Sequence, residues 1–472
     1  MPKQGLDFIP NGIPTHDVLH KYIFEQEGLI PYSSADISEL YKVNVFTKAK
    51  YFIMAKILQI YWATNPKRNT VKYNKIILSH SIIEICLRDK QIGKFKILKK
   101  NTFDMIKGAM RFVYQLNRFS RDYDIKLITG GDEAYIEGSI MGQFAVLNNI
   151  KNLFFKQYDN NVAGFPFDIN TLFAGPKFYT YKDQLKNSNC DTQAGIVELD
   201  RITTGNLTYS LMRKISSTVE MDTFHPRYYK NITDAIVLYL HDFIDSPGLY
   251  GNCVFFDQWR WLRATEKIIK LHKKILIVKL HPNISYQNKT AIALLKKTYQ
   301  SCEHVFIEEN PLTVSWFKKH KVLGILTIYG SIIWESAFVG LPCISCANNP
   351  SISFDLSFNA KNRNEFKKLL SLMCLEKLPL KSNLREDSAN CYLINKLQYK
   401  INAIGQFPFD DMNKETFKFL FGESAVNFDE IGNEERRAIF LHSPKTKNYM
   451  NAYLSEHGDK LMNLIKERFG IS

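Results

Sequence analysis

Between residues 236 and 346 the chain alternates short apolar β-type runs with stretches of helical spacing, a pattern that few folds accept. The β-type runs occupy 236–241, 275–281, 304–307, 323–328 and 342–346. Helical spacing fills 257–272, 288–299 and 331–339, the first with Trp261, Ala264, Ile268 and Leu271 on one stripe. Strands that are apolar throughout are covered on both faces, and strands joined through single helices run parallel. The segment therefore predicts a parallel sheet with helices on either side. Such a sheet gathers ligands outside the carboxyl ends of its strands.

The first half carries the same signal more faintly. Strands are expected at 76–80, 125–129 and 153–155, helices at 102–119 and 136–147, and insertions through 166–215. A chain of 472 residues exceeds one ordinary core. The junction is expected near 216–233, where Phe224-His225-Pro226 interrupts any helix. The division is then an α/β domain at 1–225, a nucleotide-type α/β domain at 226–400 and a helical extension at 401–472. Segments 434–439 and 445–469 are expected as terminal helices packing back on the body.

Hydrophobic residues make up 45% and charged residues 23%, the balance of a globular chain rather than a disordered one. Basic residues number 62 against 47 acidic ones, a formal net charge of +15 that favours anionic partners. They are dispersed, and the dense patch at 94–100 is poorly interleaved with aromatics, so nucleic acid is not expected as a partner. No targeting segment is expected. The apolar run 326–347 is broken by Glu335 and Gly340-Leu341-Pro342, which disqualifies it as a membrane span. Eight scattered cysteines read as buried thiols of a cytoplasmic protein. Cys343 and Cys346 have redox spacing, but no second pair accompanies them and core packing is expected. Neither a metal nor a cofactor is expected.

Four clusters could carry chemistry. In Lys279-Leu280-His281-Pro282, Pro282 holds His281 extended at a strand end. Its ring can then donate to a phosphate oxygen, and Lys279 adds a point charge. Gly330 and Ser331 open a helix whose first amides are polarised to hold an anion, with Ser331 suited to the N-cap. Glu335 lies one turn on, where a carboxylate can accept hydrogen bonds from ribose hydroxyls. Its apolar neighbours Ile332, Ile333, Trp334, Ala337 and Phe338 require that this carboxylate be paired or bound. His241 and Asp242, with Asp245 and Ser246, follow the first strand of the second half and could supply an acid or base. They are also ordinary turn formers. Asp132 and Glu133 follow Gly130-Gly131 and could act as base or nucleophile, or simply open a helix.

Together, His241-Asp242-Phe243-Ile244-Asp245-Ser246-Pro247, the stretch from Phe255-Phe256-Asp257 to Trp261-Leu262, Lys279-Leu280-His281-Pro282, and Gly330-Ser331 through Glu335 with Gly340-Leu341-Pro342 carry a resemblance. They resemble the GT-B glycosyltransferases of bacterial surface-polysaccharide assembly, especially the capsule-polysaccharide-biosynthesis group. The resemblance covers about residues 236–346, with a fainter echo at 132–142. It implies an α/β fold of two Rossmann-like domains with the C-terminal helices packing back across the body. Residues 1–225 would bind the acceptor and 226–400 the donor. Lys279, His281, Pro282, Gly330, Ser331 and Glu335 would form the donor site, with His281 and Ser331 at phosphate and Glu335 at ribose. Asp132, Glu133, His241 or Asp242 would provide the catalytic base. The implied partners are a CMP- or UDP-linked sugar and a saccharide or lipid-linked acceptor, met at the inner face of the cytoplasmic membrane. A CDP-polyol phosphotransferase or a sugar-nucleotide epimerase on the same scaffold is the alternative.

Overall fold

The apolar runs of the second half form one parallel sheet in the computed structural model. It describes residues 3–8, 14–65, 71–88, 93–131, 135–158, 161–174, 177–186, 188, 190–205, 232–244, 251–280, 289–309, 312–379, 382–401, 403–406 and 444–469. Asp132, Glu133, His281 and Pro282, and the helix expected at 434–439, lie outside the described residues.

In chain order the strands of the two large sheets begin with β1 (Lys3–Phe8), β2 (Ile30–Ser33), β3 (Asp124–Gly130), β4 (Lys151–Tyr158) and β5 (Asn161–Phe165). They continue with β6 (Ala235–Tyr239), β7 (Ile275–Lys279), β8 (Val305–Glu308), β9 (Gly324–Thr327), β10 (Cys343–Ser345) and β11 (Phe358–Asn359). The last is β12 (Ala403–Gln406). The helices used below are α1 (Pro14–Gln26), α2 (Val45–Thr64), α3 (Lys100–Asp122), α4 (Ile136–Leu147), α5 (Gln258–Leu271), α6 (Val314–Lys319), α7 (Ile332–Phe338) and α8 (Pro444–Phe469).

The chain divides into two units. One comprises Met1–Ile82, Ile97–Pro176 and Gln398–Ser472; the other comprises Ile83–Lys96 and Lys177–Leu397. The expected α/β class with two Rossmann-like sheets is the one observed.

In the second unit the strand order is β8-β7-β6-β9-β10-β11, parallel throughout. Counted within the unit this is 3-2-1-4-5-6, the doubly wound order whose direction reverses between the first and fourth strands. Strand β11 has no predicted counterpart, whereas β6 to β10 each lie within two residues of their predicted runs. Their cores are fully buried, as helices on both faces require. Helix α5 starts where Asp257 accepts from the Arg260 amide at 2.7 Å. Its packed face runs through Trp261, Leu262, Thr265, Ile268 and Ile269. Leu271, expected on that stripe, is 72% exposed, because ten residues past Trp261 the helix has turned well off the packed face.

The first unit has the order β12-β5-β4-β3-β1-β2. Strands β1 to β4 pair in parallel, while β5 and β12 add antiparallel. The strand expected at 76–80 shrinks to Ile76–Ile77, hairpinned onto Lys72–Tyr73. Asn74 and Lys75 make that turn with φ of 47° and 68°, and a helix starts at Ser79. After the second unit the chain returns: β12 extends the first sheet and α8 packs on α1. Lys466 reaches Glu27 at 3.0 Å, and Gly458 faces the Tyr22 hydroxyl so closely that a methyl group there would collide with it. The terminal helix expected at 445–469 does pack back.

Candidate functional site

The last residue of every strand in the second sheet is polar. Tyr239 pairs with Lys279, Lys279 with Glu308, Thr327 with Ser345 and Ser345 with Asn359. Leu238 and Leu326 are paired one residue earlier, which puts Tyr239 and Thr327 on the same level. In-register neighbours of a parallel sheet project to one face. The row Glu308-Lys279-Tyr239-Thr327-Ser345-Asn359 therefore forms a polar rim on an otherwise aliphatic sheet.

Most of this rim is satisfied from within. Thr327 donates to the Tyr329 carbonyl at 2.7 Å, and Ser345 bonds the Ser357 hydroxyl at 2.8 Å. The Lys279 ammonium donates to the Leu280 carbonyl at 3.2 Å. Burial pulls Lys279 down to about 8, against the attraction of Glu308, which raises it. Lys279 is 4% exposed yet stays mostly protonated at neutral pH. The Tyr239 hydroxyl is different: it is buried and has no hydrogen-bond partner among the described residues. Burial drives its pKa well up, and the carboxylate of Glu335 and the Cys343 thiol push the same way.

Glu335 lies on α7 above this part of the rim. Burial raises its pKa, while a hydrogen bond from the Ser331 hydroxyl lowers it in part. Ser331 was expected as an N-cap, but its backbone is already helical and its side chain makes no capping bond. Its hydroxyl serves Glu335 instead. Helix α7 spans seven residues, less than two turns. Gly340 belongs to its other end. With φ of 73° it closes the helix while its amide donates to Ala337 O and that of Leu341 to Ser336 O. Gly340 is thus accounted for by the helix terminus.

Between β6 and β9, at the reversal of strand order, His241 lies against the chain that follows β9. Its Nε2 is 2.5 Å from the Tyr329 carbonyl, and the two rings lie 4.5 Å apart. A carbonyl can only accept, so Nε2 carries the proton and Nδ1 is the nitrogen able to change protonation. Gly330 makes the approach possible. Its φ is 116°, and a β-carbon there would stand 3.2 Å from two ring atoms of His241. Asp242 accepts from the Ile244 amide at 2.9 Å, a turn-forming bond. The loop is braced from below by Gly93, whose missing side chain admits the Phe243 carbonyl.

The site thus groups Tyr239, Lys279, Gly330, Ser331 and Glu335 with His241 on one sheet edge. Sequence reasoning missed Tyr239, Glu308 and Thr327. The available signal was the polar residue that ends each aliphatic run. Among the described residues, no group of three or more His, Cys, Asp and Glu side chains could hold a metal ion. Cys343 and Cys346 are buried in the core, with the Cys343 thiol pushed up to about 12 by burial.

No family model and no curated protein matches the sequence. Among solved structures, UDP-GlcNAc 2-epimerase of Methanocaldococcus jannaschii, in complex with UDP-GlcNAc and UDP, is 13% identical with a TM-score of 0.30. The alignment covers 84% of this chain and 99% of that one. KpsC of Thermosulfurimonas dismutans, a beta Kdo 2,4 transferase, is 13% identical with a TM-score of 0.34, over 57% of this chain and 83% of that one. UDP-GlcNAc 2-epimerase of Neisseria meningitidis, bound to UDP-GlcNAc, is 10% identical with a TM-score of 0.29, over 84% and 99%. At these scores the α/β assignment rests on the chain's own strand order.

The arrangement offers a ligand a carboxylate, an unpaired hydroxyl, a serine, a histidine and a buried cation. A polyhydroxylated anion matches that set.

Proposed function

We propose that this chain is a GT-B glycosyltransferase, moving a sugar from a nucleotide-activated donor to a surface-polysaccharide or glycolipid acceptor. The observation that carries the reading is a buried Tyr239 hydroxyl, unpartnered among the described residues and under the electrostatic influence of Glu335, beside the switch point of a 3-2-1-4-5-6 sheet. A buried hydroxyl without a partner and a carboxylate raised by burial are both relieved by a ligand that brings hydroxyls of its own.

In this reading Glu335 accepts from the donor's ribose hydroxyls and Tyr239 completes that contact. As the bond to the sugar breaks, negative charge grows on the nucleotide phosphate. In this reading Lys279 and His281 provide the charge and hydrogen bonds that stabilise it. The acceptor hydroxyl loses its proton to Nδ1 of His241, with Asp242, Asp132 and Glu133 as the other candidate bases. A CMP- or UDP-linked donor and a lipid-linked acceptor at the inner face of the cytoplasmic membrane fit this chemistry.

The test is a panel of CMP-, CDP-, UDP- and GDP-linked sugars and polyols, scored by thermal shift and by product, with and without acceptor. One donor is expected to raise the melting temperature and pass its sugar to an acceptor. Glu335→Gln is expected to weaken that donor roughly 10- to 100-fold, the loss of a charge-assisted hydrogen bond. His281→Ala is expected to slow transfer, and both variants should melt as the parent does. Variants that fail to fold would make these residues structural. A donor altered without acceptor would make the chain an epimerase.

A further inference from the structure

Helix α2, VFTKAKYFIMAKILQIYWAT, is apolar on both faces, and the described residues of the first unit cover only one of them. Tyr51, Ala55, Gln59 and Trp62 are buried, the side that packs on α3. On the opposite side Val45, Phe46, Ile53, Ile57, Ile60 and Tyr61 are 53% to 86% exposed. A helix apolar all round belongs inside a protein or against lipid. Contiguous apolar surface of this kind marks an interaction site.

Charge decides between occupants. Helix α2 contains no Asp or Glu and carries Lys48, Lys50 and Lys56. Two grooves flank Phe52. One, of about 740 Å³, has Lys48, Lys107 and Arg111 in its walls beside Val45 and Ile53. The other, of about 680 Å³, has Lys56, Lys99 and Lys100 around Phe103. The acid lining both is Asp104, and Lys107 engages it at 3.1 Å. An apolar ridge with a basic rim is the surface a peripheral protein presents to anionic lipid. The ridge enters the acyl boundary while the lysine stems lie along it and their ammonium groups meet phosphate. A second copy would oppose one basic rim to another. No helix among the described residues is long and apolar enough to cross a membrane.

We propose that the exposed face of α2, with the rim from Lys99, Lys100, Lys107 and Arg111, docks this protein on an acidic phospholipid bilayer. The inference agrees with a membrane-side acceptor but does not depend on the donor site.

The test is sedimentation of the full chain with phosphatidylcholine vesicles, with and without phosphatidylglycerol, in the absence of any nucleotide sugar. Binding is expected to the anionic vesicles and to weaken with salt. Ile53→Glu with Ile57→Glu should lower partitioning at least ~10-fold. Lys48→Glu with Lys50→Glu should remove most of the preference for anionic lipid. Both pairs are exposed, so melting temperatures should match the parent's. The proposal is overturned by no pelleting, by equal binding to neutral vesicles, or by variants that bind like the parent. A dimer that Ile53→Glu with Ile57→Glu converts to monomer, without vesicle binding, would assign the face to a second copy instead. Since no donor is present, failure here leaves the glycosyltransferase reading intact, and absence of transfer leaves this one intact.

Discussion

A buried hydroxyl left without a partner costs a folded protein about 1–3 kcal/mol, and Tyr239 carries such a group at the last position of β6. Removing it separates the two roles a tyrosine could have here. Tyr239→Phe is expected to leave urea stability unchanged or raise it, because the orphaned oxygen goes and the ring contact with Phe317 stays. Donor affinity should fall about 5-fold, the worth of one ordinary hydrogen bond. A less stable variant with unaltered affinity would show that the hydroxyl serves only the fold. Glu335 obeys related logic: burial already penalises its charge in the free protein, so a neutral replacement costs little until a ligand needs the acceptor.

Strands β6 and β9 are held together at their carboxyl ends by an element of their loops, the His241 ring on the Tyr329 carbonyl. Gly330 is what lets the loops approach. Gly330→Ala meets two penalties at once, a φ that side chains rarely adopt and a tight 3.2 Å approach that presses the His241 ring aside. It is expected to cost about 1–3 kcal/mol in denaturant titrations and to slow transfer by displacing the imidazole. Parental stability in this variant would mean the loops do not need the contact. The glycine at the far end of α7 meets no ring: Gly340 terminates the helix, and its carbonyl accepts from the Lys318 ammonium of α6 at 2.8 Å.

For the whole molecule, the return of the chain to its first unit is a structural commitment. Leu454, Leu461, Met462 and Ile465 of α8 are buried, and each contributes ~1.5–3 kcal/mol. Against a total stability of about 5–15 kcal/mol, deleting residues 444–472 should leave the first unit unfolded or fast to exchange its amides. Hydrogen exchange resolved by residue would read this, and undiminished protection of α1 would contradict it.

The second sheet was legible because continuous apolar runs between helical stretches admit one solution, a parallel sheet covered on both sides. The five strands and three helices predicted there lie within two residues of their observed bounds, while β11 and α6 were not foreseen. In the first unit β1, β2 and α2 went unseen. The residues of β1 mix polar with apolar, and α2 lacks a polar face to give it a period. Glu335 and Lys279 could be named from the sequence because charge within apolar surroundings is a local signal. Tyr239 could not, because its missing hydrogen bond depends on what α6 and α7 fail to provide. Periodicity and composition act over a few residues, and they settled the class of fold and the strands of its clearer half. Which strand ends share a level, that His241 meets a carbonyl 88 residues away, and that β12 rejoins the first sheet depend on pairing between distant segments. Only chain closure in three dimensions selects among such pairings.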